Sequence, residues 1–442
     1  MKRTSITSRR ANFVTRTDGA LNRPASRTGR TRLIASAVAV ALPLVALTAS
    51  FAAAQTAVLD KGLTVSGQGS TFMSNLVEQC RVDAKNEFGI NIAYQGTGSG
   101  AGRNAYVSGT NDFGASDVAF PAAEVDKAKA KPFVYIPAAI GGIAVIYKAG
   151  SITDLKLSGP TLAGIFAGKI QKWDAEAIAK ENPGVSLPGE IIRVIVRSDS
   201  SGTSNVFSDY LATVGKGAWT AGTTSNFPVP AGNGVAQRGS DGVSNYVAGS
   251  QGNFSITYAE ASFAEERKLP VVKVINASGN AVAPEAASIT EAMANAAANE
   301  DGTLLLNFQT ASAKAYPIST TAYVIAPQTL DKGKGDVLRT FLTFMIGACQ
   351  KKADKVGYAP LPANLVKLGT DAIAKINPGS APVPVAAGSA APAATAAPTA
   401  TTAVAAAPTT IAAKPVATTK APAKTKPKTK PKTTVKTTVK TK

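Results

Sequence analysis

The chain has 442 residues, 45% of them hydrophobic, enough for more than one packed core, and a formal charge of +19. That charge is concentrated at the ends. Residues 1–32 carry nine basic side chains against Asp18, and the stretch from Ser380 carries ten lysines and no acid, which leaves about +1 for everything between. A near-neutral middle excludes a nucleic-acid partner for the folded part, and the absence of histidine excludes Ser-His and Cys-His nucleophile pairs together with histidine-held metals.

In chain order, the basic start runs into an apolar stretch from Leu33 to Leu47 and then small residues at Ala52, Ala53 and Ala54, the pattern of a secretory signal over residues 1–54. Cleavage before Gln55 is the expectation. A retained anchor is the alternative, because Leu33 to Ala54 is just long enough to cross a bilayer. Ser8-Arg9-Arg10 gives a twin-arginine variant of the signal, and no cysteine near the cut offers a lipid attachment point. A strand is predicted over Leu63–Ser66. It ends in GQGSTF, with Phe72, Leu76, Val77 and Cys80 at helical spacing after it and Ser70 or Thr71 as the helix cap. A second strand, Ile90–Tyr94, runs into QGTGSGAG and a short helix, and a third, around Phe113, ends at Ser116-Asp117.

The run IIRVIVRS, Ile191–Ser198, has the unbroken aliphatic character of a parallel strand buried on both faces. It ends in DSSGTS, and a helix follows through Phe207, Tyr210 and Leu211. The recurrence of strand, glycine-rich turn and helix predicts a parallel α/β architecture with ligands beyond the carboxyl ends of the strands. From Ser380 onward Ala, Pro, Thr, Val and Lys dominate without an aromatic, so residues 380–442 read as a flexible cationic tail, either an attachment to anionic cell-envelope polymers or a solubilising linker. Cys80 and Cys349 form one disulfide in an exported chain or stand as two separate buried residues, and both readings stay open.

Enzyme signatures are scarce. No G-x-S-x-G elbow occurs, no Gly-Lys pair completes a Walker A loop, and GTGSGAG fails as a dinucleotide fingerprint because Ala101 and Arg103 stand where its final glycine would fall. What remains are three predicted helix starts, Ser70-Thr71-Phe72, Ser99-Gly100 and Ser201-Gly202-Thr203, with one arginine and one aspartate. A helix start offers backbone N–H groups and a partial positive charge to an anion. Each start alone is equally a routine cap, but their repetition after successive strands points to one shared anion site. Arg197 and Asp199 flank Ser198, either as a surface ion pair or as a guanidinium that bonds anion oxygens while the carboxylate orients it. Asp117 is the odd member, since an acid repels an anion unless the anion brings a proton. Phosphate carries one at neutral pH and sulfate does not.

The segments GQGSTF, NIAYQGTGSGAG, NDFGASD, GPTLAGIFAGKIQKWDAEAIAKENPGVSLPGE, VRSDSSGTSNVFSDYL, QGNFSITYAE and AYPISTTAYVI resemble, in order, the phosphate-binding proteins of ABC phosphate transporters over about Leu63 to Pro362. The resemblance implies a two-lobed, periplasmic-binding-protein-like α/β fold with two crossings between lobes and the ligand in the cleft. Its lobes would be residues 55–143 with a return over 318–379, and residues 144–317. It implies phosphate contacts from Ser70, Thr71 and Phe72, from Ser99, from Asp117 as proton acceptor, and from Arg197, Ser201, Gly202 and Thr203, with Asp199 supporting Arg197. Ser70 stands where many members carry alanine, and Ser200 where glycine is common.

The function implied is capture of inorganic phosphate outside the cytoplasmic membrane and its delivery to a membrane permease driven by a cytoplasmic ATPase. No catalysis, cofactor or metal enters. The alternatives are a receptor for another oxyanion such as sulfate or molybdate, a secreted phosphohydrolase on the same fold, and a cell-envelope attachment protein.

Overall fold

The computed structural model describes residues 57–384 other than Asn295. The expected signal over 1–54 and the lysine-rich chain beyond Pro384 lie outside the described residues. The first elements alternate strand and helix: β1 (Thr64–Gly69), α1 (Ser74–Phe88), β2 (Asn91–Gly96), α2 (Ser99–Ser108), β3 (Phe113–Ser116) and α3 (Ala122–Lys129). α1 turns Leu76, Val77, Cys80 and Ala84 inward and stops where Gly89 takes the left-handed conformation. Its first residue is Ser74 and its N-cap is Met73, so Ser70 and Thr71 lie in the turn before the helix instead of capping it.

A 16-residue strand, β4 (Phe133–Lys148), follows, buried along all but its two ends. Then come β5 (Lys156–Ser158), α4 (Gly159–Phe166), α5 (Glu176–Glu181), β6 (Arg193–Arg197), α6 (Gly202–Val214), β7 (Gly234–Gln237), α7 (Gly239–Ala248), β8 (Ser255–Glu260) and α8 (Ala261–Arg267). The chain continues through β9 (Lys273–Ile275), β10 (Ala281–Val282), α9 (Ala286–Met293), β11 (Ala297–Ala298) and β12 (Leu304–Leu305) to β13 (Ser319–Pro327), α10 (Lys332–Ile346) and α11 (Ala363–Ile373).

Eight strands form one sheet in the order β2-β1-β3-β13-β4-β8-β6-β7. β1, β2 and β3 are mutually parallel at one end, and β6, β7 and β8 at the other. Between them the pairing is antiparallel, so the architecture is mixed and not purely parallel. The cause is β4. Its residues Phe133–Gly142 pair with β13, and its residues Ile143–Lys148 pair with β8. One strand thus serves two halves of the sheet, changing partner between Gly142 and Ile143. The two glycines at this exchange are required by close packing: a Cβ on Gly141 would sit 3.0 Å from the Phe72 ring and 3.1 Å from Glu260 Oε1, and one on Gly142 would sit 2.9 Å from Pro284. A mixed α/β chain that divides into halves around one long crossing strand is the two-lobed periplasmic-binding-protein fold.

Cys80 on α1 and Cys349, just after α10, form a disulfide between residues 269 apart in sequence. It ties together the layer of helices that covers the β1–β3 half.

Candidate functional site

Four strands deliver the candidate residues. β1 ends at Gly69, whose φ of +144° and whose close approach to Ala115 (an added Cβ would lie 2.0 Å from its carbonyl oxygen) leave no room for a side chain. The turn after it holds Ser70, Thr71 and Phe72, all buried. The Ser70 carbonyl accepts from Tyr94 Oη at 2.7 Å, and the Phe72 carbonyl accepts from Tyr358 Oη at 2.6 Å, so the turn is fastened on both sides. The Phe72 ring lies in the core, edge-on to Tyr358. Its backbone N–H faces the turn and donates to Ser70 Oγ at 3.1 Å.

Asp117, just past β3, is the centre of the arrangement. It is 4% exposed, and its carboxylate accepts from both halves: Ser70 Oγ donates to Oδ1, and Thr203 Oγ1 donates to Oδ2 at 2.9 Å. Its own N–H donates to Ser99 Oγ at 3.2 Å. Ser99 is the first residue of α2, and Gly202 and Thr203 are the first two of α6, so two helix N-termini abut the same aspartate, α6 at its carboxylate and α2 at its backbone N–H. Burial pushes the Asp117 carboxyl above its ordinary value, and the hydroxyls of Ser70 and Thr203 and the charges of Arg197 and Arg103 offset only part of that push. Two hydroxyls donating to two carboxylate oxygens still leave lone pairs that can accept a proton from a ligand.

Arg197 closes β6 and is 2% exposed. Its Nε donates to Asp199 Oδ1 at 2.8 Å and its Nη2 to Oδ2, a two-pronged pair that fixes the guanidinium plane. Of the two readings of this pair, the surface ion pair is therefore excluded by burial. Burial raises the Asp199 carboxyl, but the Arg197 hydrogen bonds and charge and the Gly239 N–H at 2.9 Å outweigh it, so Asp199 lies below the ordinary carboxylate range. Ser201 acts as the N-cap of α6, accepting from Ser204 N at 3.1 Å. The routine capping role thus holds for Ser201, while Ser70, Ser99 and Thr203 turn their hydroxyls to Asp117 or its backbone.

Glycines make this convergence possible. A Cβ on Gly202 would lie 2.5 Å from Ser99 Oγ, one on Gly100 would lie 2.5 Å from Ser200 Cβ, and one on Gly98 would lie 2.3 Å from Asp199 Oδ2. The backbones of α2 and the β6–α6 turn meet directly, with Gly100 N donating to the Ser200 carbonyl at 2.9 Å. All the sequence-predicted residues are accordingly brought to one place. Sequence reasoning missed Gly239 and Ser240 at the start of α7, where Ser240 Oγ lies 2.9 Å from Thr71 Oγ1. Gly-Ser at a helix start repeats the pattern of the other turns, but no buried aliphatic run precedes it. No group of acids or cysteines that could hold a metal occurs among the described residues.

Residues 51–348 match the model of the PBP superfamily domain. The chain is 36% identical over 316 residues to the phosphate-binding protein PstS of Xylella fastidiosa (strain Temecula1), spanning 70% of this chain and 84% of that one. It is 34% identical over 310 residues to the phosphate-binding protein PstS 3 of Mycobacterium tuberculosis (strain H37Rv), spanning 68% and 83%. Among solved structures, a high-affinity periplasmic phosphate-binding protein, PfluDING, bound with phosphate at pH 8.5, superposes with a TM-score of 0.56 at 25% identity, over 69% of this chain and 92% of that one. A phosphate-binding protein from Stenotrophomonas maltophilia shares the fold, with a TM-score of 0.54 at 19% identity over 70% and 93%. The chain belongs to the PBP superfamily and, within it, to the family of the phosphate-binding protein PstS.

Proposed function

We propose that this protein captures inorganic phosphate outside the cytoplasmic membrane, in the cleft between its two halves, and delivers it to the permease of an ABC importer. The observation that carries the reading is Asp117: a buried carboxylate at the N-terminus of α6, with the start of α2 at its backbone N–H and the charge of Arg197 acting on it, an arrangement that suits an anion carrying its own proton. Arg197 and the first turns of α2 and α6 supply donors to the phosphate oxygens, with the Thr71 hydroxyl and the Phe72 N–H from the turn after β1. Asp117 accepts the phosphate proton. Binding, not catalysis, is the activity.

The division into lobes follows the crossing strand: residues 55–143 with 318–379 form one lobe and residues 144–317 the other, which the partner exchange of β4 at Ile143 supports. The ten lysines beyond Ser380 give the chain a cationic end suited to anionic cell-envelope polymers.

Calorimetric titration of phosphate-stripped protein with phosphate, sulfate and molybdate tests the reading. Tight binding of phosphate with weak binding of the other two is expected. Equal affinity for sulfate would make the protein a receptor for tetrahedral oxyanions in general, and hydrolysis of a chromogenic phosphomonoester would make it an enzyme.

A further inference from the structure

Ser240 belongs to none of the contacts assigned above, yet it is fully buried between two of them. It sits in the first turn of α7, after a glycine held at φ +72°, and its hydroxyl lies 2.9 Å from Thr71 Oγ1. Its backbone N–H donates to the same Thr71 oxygen at 3.3 Å, and Arg197 Nη1 donates to Ser240 Oγ at 3.5 Å. Thr71 is on the turn after β1 and Ser240 on the turn after β7, so these bonds join the two halves of the sheet across the cleft.

Two arrangements of the hydrogens along this chain are open, because either hydroxyl can be the donor between Ser240 and Thr71. A hydroxyl has one hydrogen to give and two lone pairs to receive with. Arg197 can only donate, so Ser240 Oγ receives from it; in the arrangement that uses every group, Ser240 gives its own hydrogen to Thr71. Thr71 Oγ1 then receives from the Ser240 hydroxyl and from the Ser240 N–H, which fills both lone pairs. In that arrangement the hydrogen of Thr71 is left free to point elsewhere. Resting on the phosphate reading above, we propose that Ser240 is a positioning residue: it fixes Thr71 as a donor toward the bound anion and holds the halves together across the cleft, so that it sets how slowly phosphate leaves.

This role predicts a particular kinetic pattern. A residue that acts only once the halves have met does not help the open protein find phosphate, so its loss acts on release and not on capture. Rapid-mixing measurements of phosphate association and dissociation on Ser240→Ala should show dissociation about five- to tenfold faster, the size of one lost buried hydrogen bond. Association should stay within about twofold, and the melting temperature should be close to that of the unaltered chain. In a Thr71→Val background the same Ser240→Ala change should have almost no further effect on dissociation, because the hydroxyl it serves is gone. Equal dissociation rates for Ser240→Ala and the unaltered chain would overturn the inference, as would additive effects of the two substitutions or a loss confined to association. Failure of the unaltered chain to bind phosphate at all would instead overturn the reading of the site.

Discussion

The half of the sheet built from β1, β2 and β3 brings hydroxyls and a carboxylate to the cleft, whereas the half built from β6 and β7 brings a guanidinium held by its own carboxylate and the first turns of two helices. The first half has a buried cation of its own, Arg103, but Glu124 pairs with it at 2.8 Å. Arg197 is likewise paired with Asp199, yet it also faces Ser240 and, with Arg103, lowers the cost of charge on Asp117. Neither half is suited to hold an anion alone. On the proposed reading one contains the acceptor that chooses among anions and the other most of the donors that bind any of them, so affinity and selectivity should be separable by substitution.

The halves also differ in how they are tied. The Cys80–Cys349 disulfide lies entirely in the half containing β1 and α10, and no counterpart occurs among the described residues of the other half. Replacing both cysteines by alanine should cost about 2–5 kcal/mol of unfolding free energy, since the bridge closes a very long loop in the unfolded chain. Denaturant unfolding measures this. Phosphate affinity of the folded protein should change by less than about twofold, and a collapse of affinity would show that the bridge shapes the cleft itself.

Removing the donor is the next largest effect. Arg197→Ala takes away charge-assisted donors and leaves the half-buried Asp199 without its cation, so phosphate and sulfate should both weaken by about a hundredfold or more. Parallel titrations with the two anions read the result, and a loss restricted to phosphate would contradict a donor role shared by all oxyanions.

Asp117→Asn sharpens the contrast from the other side. The amide removes a charge that repels sulfate and adds a donor, so the preference for phosphate over sulfate should narrow by about tenfold or more, mainly through better sulfate binding. The pH dependence has the same origin. Burial places the Asp117 carboxyl above its ordinary value, so the folded protein holds this proton more tightly than the unfolded chain does, and the stability this group contributes is present at low pH and lost as pH rises through the raised value. Protonated Asp117 no longer repels a fully ionised ligand. Sulfate affinity of the unaltered chain should therefore rise as pH falls through that value, and Asp117→Asn should flatten the rise. An unchanged selectivity ratio in Asp117→Asn would remove Asp117 as the proton acceptor.

What the sequence made legible follows the same division between local and non-local order. Turns in which strand, glycine and hydroxyl residue succeed one another within a few positions are local patterns, and they exposed Ser70, Ser99, Ser201 and their neighbours. Ser240 escaped because the strand before it, β7, is only four residues long and partly exposed, so no aliphatic run marks the turn that follows. The partner exchange of β4 was hidden for the opposite reason. FVYIPAAIGGIAVIYK is buried almost throughout, and a strand buried on both faces carries no periodicity to say which neighbour it pairs with or in which direction. Cys80 and Cys349 could not be paired from sequence because the contact depends on α1 packing against the chain after α10, a tertiary relation across 269 residues.

The smallest expected effect sets both halves against the chain that follows them. Residues 377–382 still belong to the fold: Asn377 Oδ1 accepts from Leu330 N at 2.9 Å, the Ala381 carbonyl accepts from Arg339 Nη1 at 3.1 Å, and the Pro382 carbonyl accepts from Ala57 N at 2.7 Å. A cut near Asn377 would therefore damage the β1 half, where the half-buried Arg339 pairs with the buried Asp336. A cut after Pro384 spares every one of these bonds and removes ten lysines and no acid. If those ten charges act on the site only through solvent, salt screens them beyond about 8 Å at physiological ionic strength. Phosphate affinity of the chain ending at Pro384 should then match that of the full chain within about twofold at that ionic strength. Retention on an anionic polymer matrix should fall sharply, because polymer attraction scales with the charge removed while the remaining middle is close to neutral. Equal retention of the two chains would dismiss the attachment role of the tail, and a large change in phosphate affinity would mean that the tail reaches the cleft.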